Sequence, residues 1–372
     1  MSVSYGGDKI TFDDGSSLST GYTHFRNRII NGDMRIDQRN AGASTTPGTG
    51  TNVFPIDRFY IGASQNSKLT TQQNAGAITP PVGFSNYLGI TSSSAYSVVS
   101  SDYFFLEQTI EGFNTADLEW GTANAKTVTL SFQVYSSLTG TFGGSIRNSA
   151  ISRSYPFSYT VSSANTWTTI NITIPGDTSG TWIGATNGIG LRVAFSLGMG
   201  STFSGTAGAW SGNNFGSATG ATSVVGTNNA TFFITGVQLE VGSYATTFER
   251  RPYGTELQLC QRYYYRATAS TVTDMYGNAF AYNTQIAMGL IPFPVTMRVA
   301  PSALEQSGTA SDYRVLITGG NVNCNAVPSY DQATRWNGFV YFNVASGLTA
   351  GHGCMLRSGT SAAGYLGWSA EL

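Results

Sequence analysis

Charged side chains are scarce in this sequence. They make up only 10% of the 372 residues, whereas a typical soluble domain has about 25%. The formal net charge is -1, and no cluster of Lys and Arg supplies the basic surface that neutralises phosphates. We therefore expect no nucleic-acid partner, and a surface made mainly of Ser, Thr, Asn and Gly.

Long hydrophobic runs are missing as well. No stretch approaches the roughly 18 apolar residues that a membrane helix needs. The N-terminal sequence MSVSYGGDKITFDDG also lacks the basic and then apolar layout of a signal peptide. We expect no membrane insertion, and a chain that is made and kept soluble.

Cysteine and histidine are too few for the usual metal and redox sites. Cys260, Cys324 and Cys354 are far apart and odd in number, so we expect reduced, buried thiols of a cytosolic product and no disulfide scaffold. His24 and His352 have neither the spacing of a metal site nor a triad partner. No nucleotide-binding, metalloprotease or hydrolase motif occurs. We predict no cofactor and no enzymatic activity.

A structural calcium ion would need several oxygen ligands. Only Asp13, Asp14 and neighbouring loop carbonyls could supply part of such a set. Nothing in the sequence approaches an EF-hand loop, so no metal site is predicted.

Glycine and aromatic residues, by contrast, are abundant, with 45 Gly, 21 Phe, 20 Tyr and 6 Trp. Aromatic and β-branched residues favour strands, and Gly and Asn favour tight turns, so the predicted fold class is all-β. Nine strands are predicted before residue 250, at 28–36, 57–62, 87–91, 103–111, 127–136, 141–147, 167–174, 188–197 and 231–241. Because no helical periodicity interrupts them, they predict a two-sheet antiparallel sandwich of the jelly-roll type.

The alternation is clearest in the strand predicted at 127–136. Its apolar residues alternate with polar ones, which places Val128, Leu130, Phe132 and Val134 on one face of a half-buried strand.

A long loop rich in Gly, Ser and Asn is predicted at 201–229. Loops of this length are usually functional or contact another subunit.

Between residues 234 and 266 the alternating pattern of a strand is followed by the spacing of a short helix, and this change predicts a boundary between two domains. Thr255 with Gln258 matches a capping box, and Leu257, Cys260 and Tyr264 lie on one face of a helix. The sequence therefore predicts a short helix after the last sandwich strand.

The predicted organisation has four parts. They are an N-terminal attachment arm at 1–21 with a strand at 9–12, the jelly-roll sandwich domain at 22–250, a helical connector at 251–266 and a second, smaller β-sandwich domain at 267–372. The strands of the second domain are predicted at 279–291, 313–317, 338–344, 353–356 and 364–371. We expect Tyr263, Tyr264 and Tyr265 to be buried between domains or subunits.

Several segments of the first domain have a distinctive sequence. They are NRIINGDM at 27–34, DRF at 57–59, LEWGTA at 118–123, ITGVQLEVG at 234–242 and FERRP at 248–252. These segments resemble a recurrent module in the tail fibre proteins of tailed bacteriophages, a module loosely related to carbohydrate-binding jelly rolls. The resemblance covers roughly residues 25–266. The second domain, ending in WSAEL, is similar to the distal domain that often follows this module, and GDKITFDDG at 7–15 resembles the leader segments of phage fibres.

The resemblance implies a virion structural protein of the tail or a fibre, assembled in the host cytoplasm, with attachment to a host surface glycan or receptor as its task. It also implies a homotrimer whose arm contacts other tail proteins, and the charge-poor, aromatic-rich composition suits faces buried between identical copies. Two alternatives stay open, a glycan-cleaving tail depolymerase and a decoration or fibre protein of the capsid.

Glycan binding calls for exposed aromatic faces that stack on sugar rings beside polar groups. We select five candidate ligand-binding residues, Trp182 and Trp210 in the first domain and Tyr330, Trp336 and Tyr341 in the second. Packing in a core or in a subunit interface is the alternative interpretation for each of them.

The depolymerase alternative needs two carboxylates that flank a glycosidic bond. Glu107, Glu111, Asp117 and Glu119 form the dense acidic cluster of the sequence. Glu107 and Glu111 share one side of a regular strand. A solvated strand edge or a set of ion pairs is the alternative interpretation.

Overall fold

The computed structural model describes residues 4–6, 9–11, 17–19 and 25–372. The first three segments are strands β1 (Ser4–Gly6), β2 (Lys9–Thr11) and β3 (Ser17–Ser19), which form an antiparallel sheet in that order. The strand predicted at 9–12 overlaps β2. Asp13, Asp14 and His24 lie outside the described residues.

The segment from 53 to 241 forms two antiparallel sheets. Its strands are β4 (Val53–Ile56), β5 (Phe59–Ala63), β6 (Leu69–Gln73), β7 (Leu88–Ser92), β8 (Tyr103–Glu111), β9 (Val128–Ser136), β10 (Gly140–Asn148), β11 (Ser154–Val161), β12 (Thr168–Ile174), β13 (Ile189–Met199), β14 (Ser204–Gly205), β15 (Ser217–Ala218) and β16 (Thr231–Val241). One sheet has the order β11-β10-β13-β8-β5-β4 and the other β12-β9-β16-β7-β6, while β14 and β15 form a small parallel pair. The predicted jelly-roll sandwich is confirmed.

The core of this sandwich lies between the two sheets. The alternation predicted for β9 is observed, because Val128, Leu130, Phe132 and Val134 are all buried. The inward-facing residues of β8 and β13, such as Phe104 and Phe195, belong to the same buried cluster. Burial of each large apolar side chain stabilises the fold by about 1.5 to 3 kcal/mol.

Most predicted strands of the sandwich coincide with observed ones. Those from 87 to 241 agree within two residues at each end with β7, β8, β9, β10, β12, β13 and β16. Strands β6 and β11 were not predicted because their sequences, LTTQQ and SYPFSYTV, are polar or contain a proline. Both are edge strands, where Pro156 need not donate a ladder hydrogen bond.

The strand predicted at 28–36 is wrong. Asn31 adopts a left-handed conformation with φ 60°, and its side chain bonds to the backbone of its own loop. The Asn31 Nδ2 donates to the carbonyl of Ile36 at 2.8 Å, and the Ile36 N–H donates back to the Asn31 Oδ1 at 2.9 Å. Local side-chain bonding of this kind competes with strand pairing.

The strand predicted at 57–62 is interrupted by a turn. Asp57 and Arg58 lie between β4 and β5, and Arg58 has a φ of 72°.

Strand β16 is irregular at Gly236, which has a φ of 63° at a register shift between Thr235 and Gln238. This is a β-bulge, where glycine is favoured because other residues rarely adopt that conformation.

The second domain contains ten strands. They are β17 (Tyr264–Thr268), β18 (Met275–Ala281), β19 (Ile286–Pro292), β20 (Glu305–Gln306), β21 (Tyr313–Ile317), β22 (Gly320–Asn323), β23 (Ser329–Ala333), β24 (Asn337–Asn343), β25 (Gly353–Ser358) and β26 (Tyr365–Ser369). They form a three-stranded sheet, β17-β26-β20, and a seven-stranded sheet, β22-β21-β25-β18-β19-β24-β23. One buried cluster joins the two sheets, with Trp368 from the first and Phe342 from the second. The strand predicted at 279–291 is instead the hairpin of β18 and β19.

Among the residues that the structure describes, helical structure is limited to one α-helix and a few short turns. Helix α1 (Tyr253–Gln261) follows Pro252, and its first turn has no side-chain cap, so the predicted capping box is wrong. Cys260 faces a small buried cluster, while Tyr264 already belongs to β17. The 3-10 turns are Ala75–Ala77, Gly112–Asn114, Ala116–Leu118, Ser201–Phe203 and Ala310–Asp312. In the described part of the chain, no helix is long and apolar enough to span a membrane.

Charged and aromatic groups connect the two domains. Tyr263 is buried, its hydroxyl donates to Glu111 of β8 at 2.6 Å, and the Arg58 guanidinium lies 3.6 Å from the centre of its ring. Arg58 also pairs with Glu371 near the C-terminus. Tyr264 is buried as well, whereas Tyr265 is half-buried and stacks on Trp368.

The three cysteines are buried, as predicted. Cys260, Cys324 and Cys354 are all free and buried. Burial raises the pKa of each thiol, which keeps them protonated and unreactive at neutral pH.

Candidate ligand-binding groove

A groove of about 310 Å³ lies on the outer face of the six-stranded sheet, and we call it the sandwich groove. It is lined by Gly50, Thr51, Asn52, Tyr60, Gly62, Ala63, Tyr103, Phe105, Glu107, Arg147, Ile151, Arg192, Met199, Phe203 and Asn214. Its size falls at the lower end of small-molecule sites.

Strand alternation places the central side chains in this groove. In β8, Phe104 and Leu106 point into the core, so Phe105 and Glu107 point outward. The register pairs Tyr60 of β5 with Glu107 and pairs Arg192 of β13 with Arg147 of β10. Residues that face each other in a register lie on the same side of the sheet.

Glu107 is the centre of the groove's polar network. Its side chain is completely buried, and it accepts hydrogen bonds from the Tyr60 hydroxyl, from Arg147 and from the Arg192 Nη1, the last at 2.9 Å. The Arg147 Nη1 also donates to the Asn214 Oδ1 at 3.0 Å. The carboxylate is therefore fully engaged and holds both guanidinium groups in place.

These contacts determine the protonation of the network. Burial alone would raise the pKa of Glu107, but Arg147, Arg192 and the Tyr60 hydroxyl together lower it from its ordinary value of 4.5. Burial and the adjacent Glu107 raise the pKa of Tyr60. At neutral pH the network thus consists of a charged carboxylate, two charged guanidinium groups and a protonated phenol.

Aromatic rings form the walls of the groove. Tyr60 and Phe105 meet edge to face at 6.0 Å, and Tyr103 meets Phe203 in the same way at 5.9 Å. Phe105 lies across Gly62 on the neighbouring strand, where an added Cβ would come within 2.4 Å of the ring. A side chain at position 62 would therefore displace Phe105.

Part of the wall comes from the long loop at 201–229. Phe203 and Asn214 of this loop line the groove. The Asn214 side chain accepts a hydrogen bond from Arg147, and the Ser154 hydroxyl of β11 donates to the Asn213 carbonyl at 2.6 Å. The loop is thus fixed to the sheet by hydrogen bonds at both β10 and β11.

Two of the predicted ligand-binding residues lie in a packed tryptophan cluster at one end of the sandwich. Trp182 and Trp210 are 5.5 Å apart and both contact Trp120, at 4.7 and 5.4 Å between ring centres. The Trp210 Nε1 donates to the carbonyl of Pro175 at 2.8 Å and the Trp182 Nε1 to that of Ser179 at 3.2 Å. Both side chains are half-buried and pack against the core.

The other three predicted residues do not share one surface. Trp336 is 62% exposed in the turn between β23 and β24. Tyr330 pairs with the buried Val340, and its hydroxyl donates to the carbonyl of Pro301 at 2.9 Å. Tyr341 pairs with Ser329 and so lies on the opposite face of the sheet from Tyr330.

The central groove residues were not selected from the sequence as binding residues. Tyr60, Phe105, Arg147 and Arg192 come from four strands that become adjacent only through the sheet order. Two features of the sequence could have indicated the groove. In the strand predicted at 103–111, aromatic and acidic residues alternate with the residues that face the core. The long loop at 201–229 is the second feature.

The acidic cluster proposed for the depolymerase alternative is divided among separate ion pairs. Glu107 lies in the groove, whereas Glu111 accepts from Arg262 at 2.6 and 2.9 Å. Asp117 pairs with Arg28, and Glu119 with Lys126 at 3.1 Å. Within the described ranges, no three His, Cys, Asp or Glu side chains are grouped so that they could hold a metal ion.

Comparison with known proteins gives only a distant likeness. No family model matches the chain, and no curated protein matches it. Among solved structures, similar chains include the carbohydrate-binding module CBM4 (15% identity, TM-score 0.29, covering 57% of this chain and 98% of the module). Another is the module TmCBM61 in complex with β-1,4-galactotriose (9% identity, TM-score 0.29, covering 58% and 99%).

A third is the family 11 carbohydrate-binding module of a cellulosomal cellulase from Clostridium thermocellum (12% identity, TM-score 0.28, covering 55% and 99%). The structural neighbours are thus carbohydrate-binding modules. Because these TM-scores are low, the jelly-roll assignment rests on the strand order of this chain itself.

Proposed function

We propose that this protein is a non-catalytic glycan-binding protein and that its ligand lies in the sandwich groove. The observation that carries the proposal is the buried Glu107, which holds Tyr60, Arg147 and Arg192 in one network between aromatic walls. Sugar rings present apolar C–H faces and polar hydroxyl edges. Aromatic rings beside fixed hydrogen-bonding groups suit both.

The non-catalytic part of the proposal is supported by the state of the carboxylates. A glycosidase needs a general acid with a raised pKa and a second carboxylate across the bond. The pKa of Glu107 is lowered instead, and so is that of Glu111, whose burial is outweighed by Arg262 and Tyr263. The depolymerase alternative therefore has no specific observation in its favour.

The biological setting that we propose is host attachment by a tail fibre of a bacteriophage. The support is the sequence resemblance of residues 27–34, 118–123 and 234–252. In this setting the arm at 1–21 would join other tail proteins, and the groove would bind a glycan of the host surface. A capsid fibre with the same groove is the alternative location.

We also propose that copies of this chain associate, as a trimer in line with the same resemblance, through the outer face of the seven-stranded sheet. We call this surface the apolar sheet face, and its members are Phe280, Met288, Leu290, Leu316, Phe339, Tyr341 and Met355. The register places all of them on one side of the sheet. Phe280, Leu290 and Met355 are each more than 40% exposed.

The size and charge of this face fit a second copy of the chain. Seven strands about 4.8 Å apart, each about five residues long at about 3.3 Å per residue, give a footprint of roughly 500 Å². This approaches the roughly 600 Å² per partner of the smaller stable interfaces. Arg357 of β25 lies towards one edge and Asp331 of β23 towards the other, so adjacent copies could pair opposite charges in a closed ring.

The glycan proposal is tested by screening the intact protein on a glycan array and measuring the affinity of a bound oligosaccharide by calorimetry. Phe105→Ala should weaken binding at least tenfold because it removes a groove wall, whereas Trp336→Ala should leave the affinity unchanged. Host adsorption measured with the same two proteins should follow the same order. Loss of binding in Trp336→Ala with full binding by Phe105→Ala would overturn the placement of the ligand in the groove.

A further inference from the structure

The sandwich groove carries an uncompensated positive charge. Its lining contains two arginines, Arg147 and Arg192, and one acidic residue, Glu107. The other lining residues are uncharged. Glu107 can balance only one of the two guanidinium groups, so the network has a net charge of about +1 at neutral pH.

The second guanidinium group retains donors for a ligand. Arg192 uses its Nη1 for Glu107 and for the Tyr60 hydroxyl, at 2.9 and 3.3 Å. Its Nη2 has no hydrogen-bond partner among the described residues, and its side chain is 20% exposed. Arg147, in contrast, uses one Nη for Glu107 and the other for Asn214. The free Nη donor of the network is therefore that of Arg192.

We propose that the groove prefers glycans with an anionic substituent, specifically the carboxylate of a uronic acid placed against Arg192. The inference rests on the proposed function and names its ligand class. A planar guanidinium group with free N–H donors matches a carboxylate in geometry as well as charge. The aromatic walls would contact the ring of the same sugar.

The position of Glu107 is consistent with an anionic ligand. Its oxygens already accept from three donors, so it fixes Arg192 and offers little free acceptor surface to a neutral hydroxyl. An anion at Arg192 would complete a second charge pair in a partly buried setting, where screening by salt is weaker than at the surface. A neutral sugar at the same place would leave this charge without a partner.

The test is calorimetric titration of the full chain with an oligogalacturonide and with the same oligosaccharide after chemical reduction of its carboxyl groups. We expect at least tenfold weaker binding of the reduced form. We also expect the affinity of the acidic form, and not that of the reduced form, to fall as salt is raised from 50 to 500 mM, on the order of several-fold. A sulfated galactan in a third titration separates recognition of a carboxylate from recognition of any anion.

Arg192→Gln should remove the preference for the acidic form, while Lys126→Gln, which deletes a distant positive charge of the same domain, should keep it. The salt series on the unmodified protein gives an independent result if Arg192→Gln does not fold. Equal affinities for the acidic and reduced forms, or a preference for the sulfated galactan, would overturn the uronate inference and leave the glycan-binding function standing. Binding of no oligosaccharide by the unmodified protein, either in these titrations or on the glycan array, would reject both.

Discussion

The sandwich groove and the apolar sheet face are both outer surfaces of antiparallel sheets, and both display aromatic side chains. In the groove, the rings surround a buried carboxylate with three donors, and a long loop forms one wall. The apolar sheet face is open, and Phe280, Met288 and Tyr341 follow one another across its strands. The two surfaces therefore differ not in aromatic content but in the polar network that the groove holds between its walls.

The largest expected effect comes from removing the centre of the groove network. Glu107→Ala leaves Arg147 buried without its carboxylate partner, so we expect a loss of about 3 kcal/mol in the free energy of unfolding, measured by urea denaturation. The matched control is Glu119→Ala, since Glu119 and Lys126 are both more than 40% exposed and such a pair contributes about 0 to 1 kcal/mol. Equal losses of unfolding free energy in the two variants would show that the buried groove network contributes no more to stability than an exposed ion pair.

The next effect concerns the apolar sheet face. Leu290→Lys places a charge in the middle of this face, and we expect the proposed oligomer to dissociate into monomers, as measured by light scattering coupled to gel filtration. Val82→Lys is the control, because Val82 is an isolated and fully exposed apolar residue on the sandwich domain. An oligomer that survives Leu290→Lys and dissociates with Val82→Lys would place the subunit interface on the other domain.

The smallest expected effect is the contribution of Glu107 to the pH dependence of the unfolding free energy. The pKa of Glu107 is lower in the folded state than its ordinary value of 4.5. Its ion pairs therefore stabilise the fold above that pH, and this stabilisation is lost as the pH falls through the lowered pKa. Glu107→Gln should flatten the decline in unfolding free energy below about pH 4.5. If the unfolding free energy of Glu107→Gln declined with falling pH as steeply as that of the unmodified protein, other carboxylates would be responsible for the decline.

The sequence predicted the sandwich well where apolar and polar residues alternate. In β9, Val128, Leu130, Phe132 and Val134 occupy every second position, so both the bounds and the inward face of the strand could be derived. The strand predicted at 28–36 failed because Asn31 bonds to its own loop, a local interaction that a hydrophobic pattern does not contain. The edge strand β6 has too few apolar residues to show a pattern, whereas β11 alternates apolar and polar residues but contains Pro156, which disfavours a strand prediction.

The candidate site was less predictable for a different reason. Tyr60, Glu107, Arg147 and Arg192 are brought together by the strand order β10-β13-β8-β5, and the sequence does not specify that order. Glu107 was noticed only as part of an acidic cluster, which the fold divides among separate partners. Trp182 and Trp210 were selected as binding residues from residue type alone, and the structure places them in a cluster with Trp120.

The most direct test of the groove as the ligand site is a crystal structure of the protein with an oligosaccharide selected on a glycan array. We predict that a sugar ring lies against Phe105 and Tyr60, with a polar substituent at Arg192. A sugar bound to Trp336 or on the apolar sheet face, with the groove empty, would contradict this account.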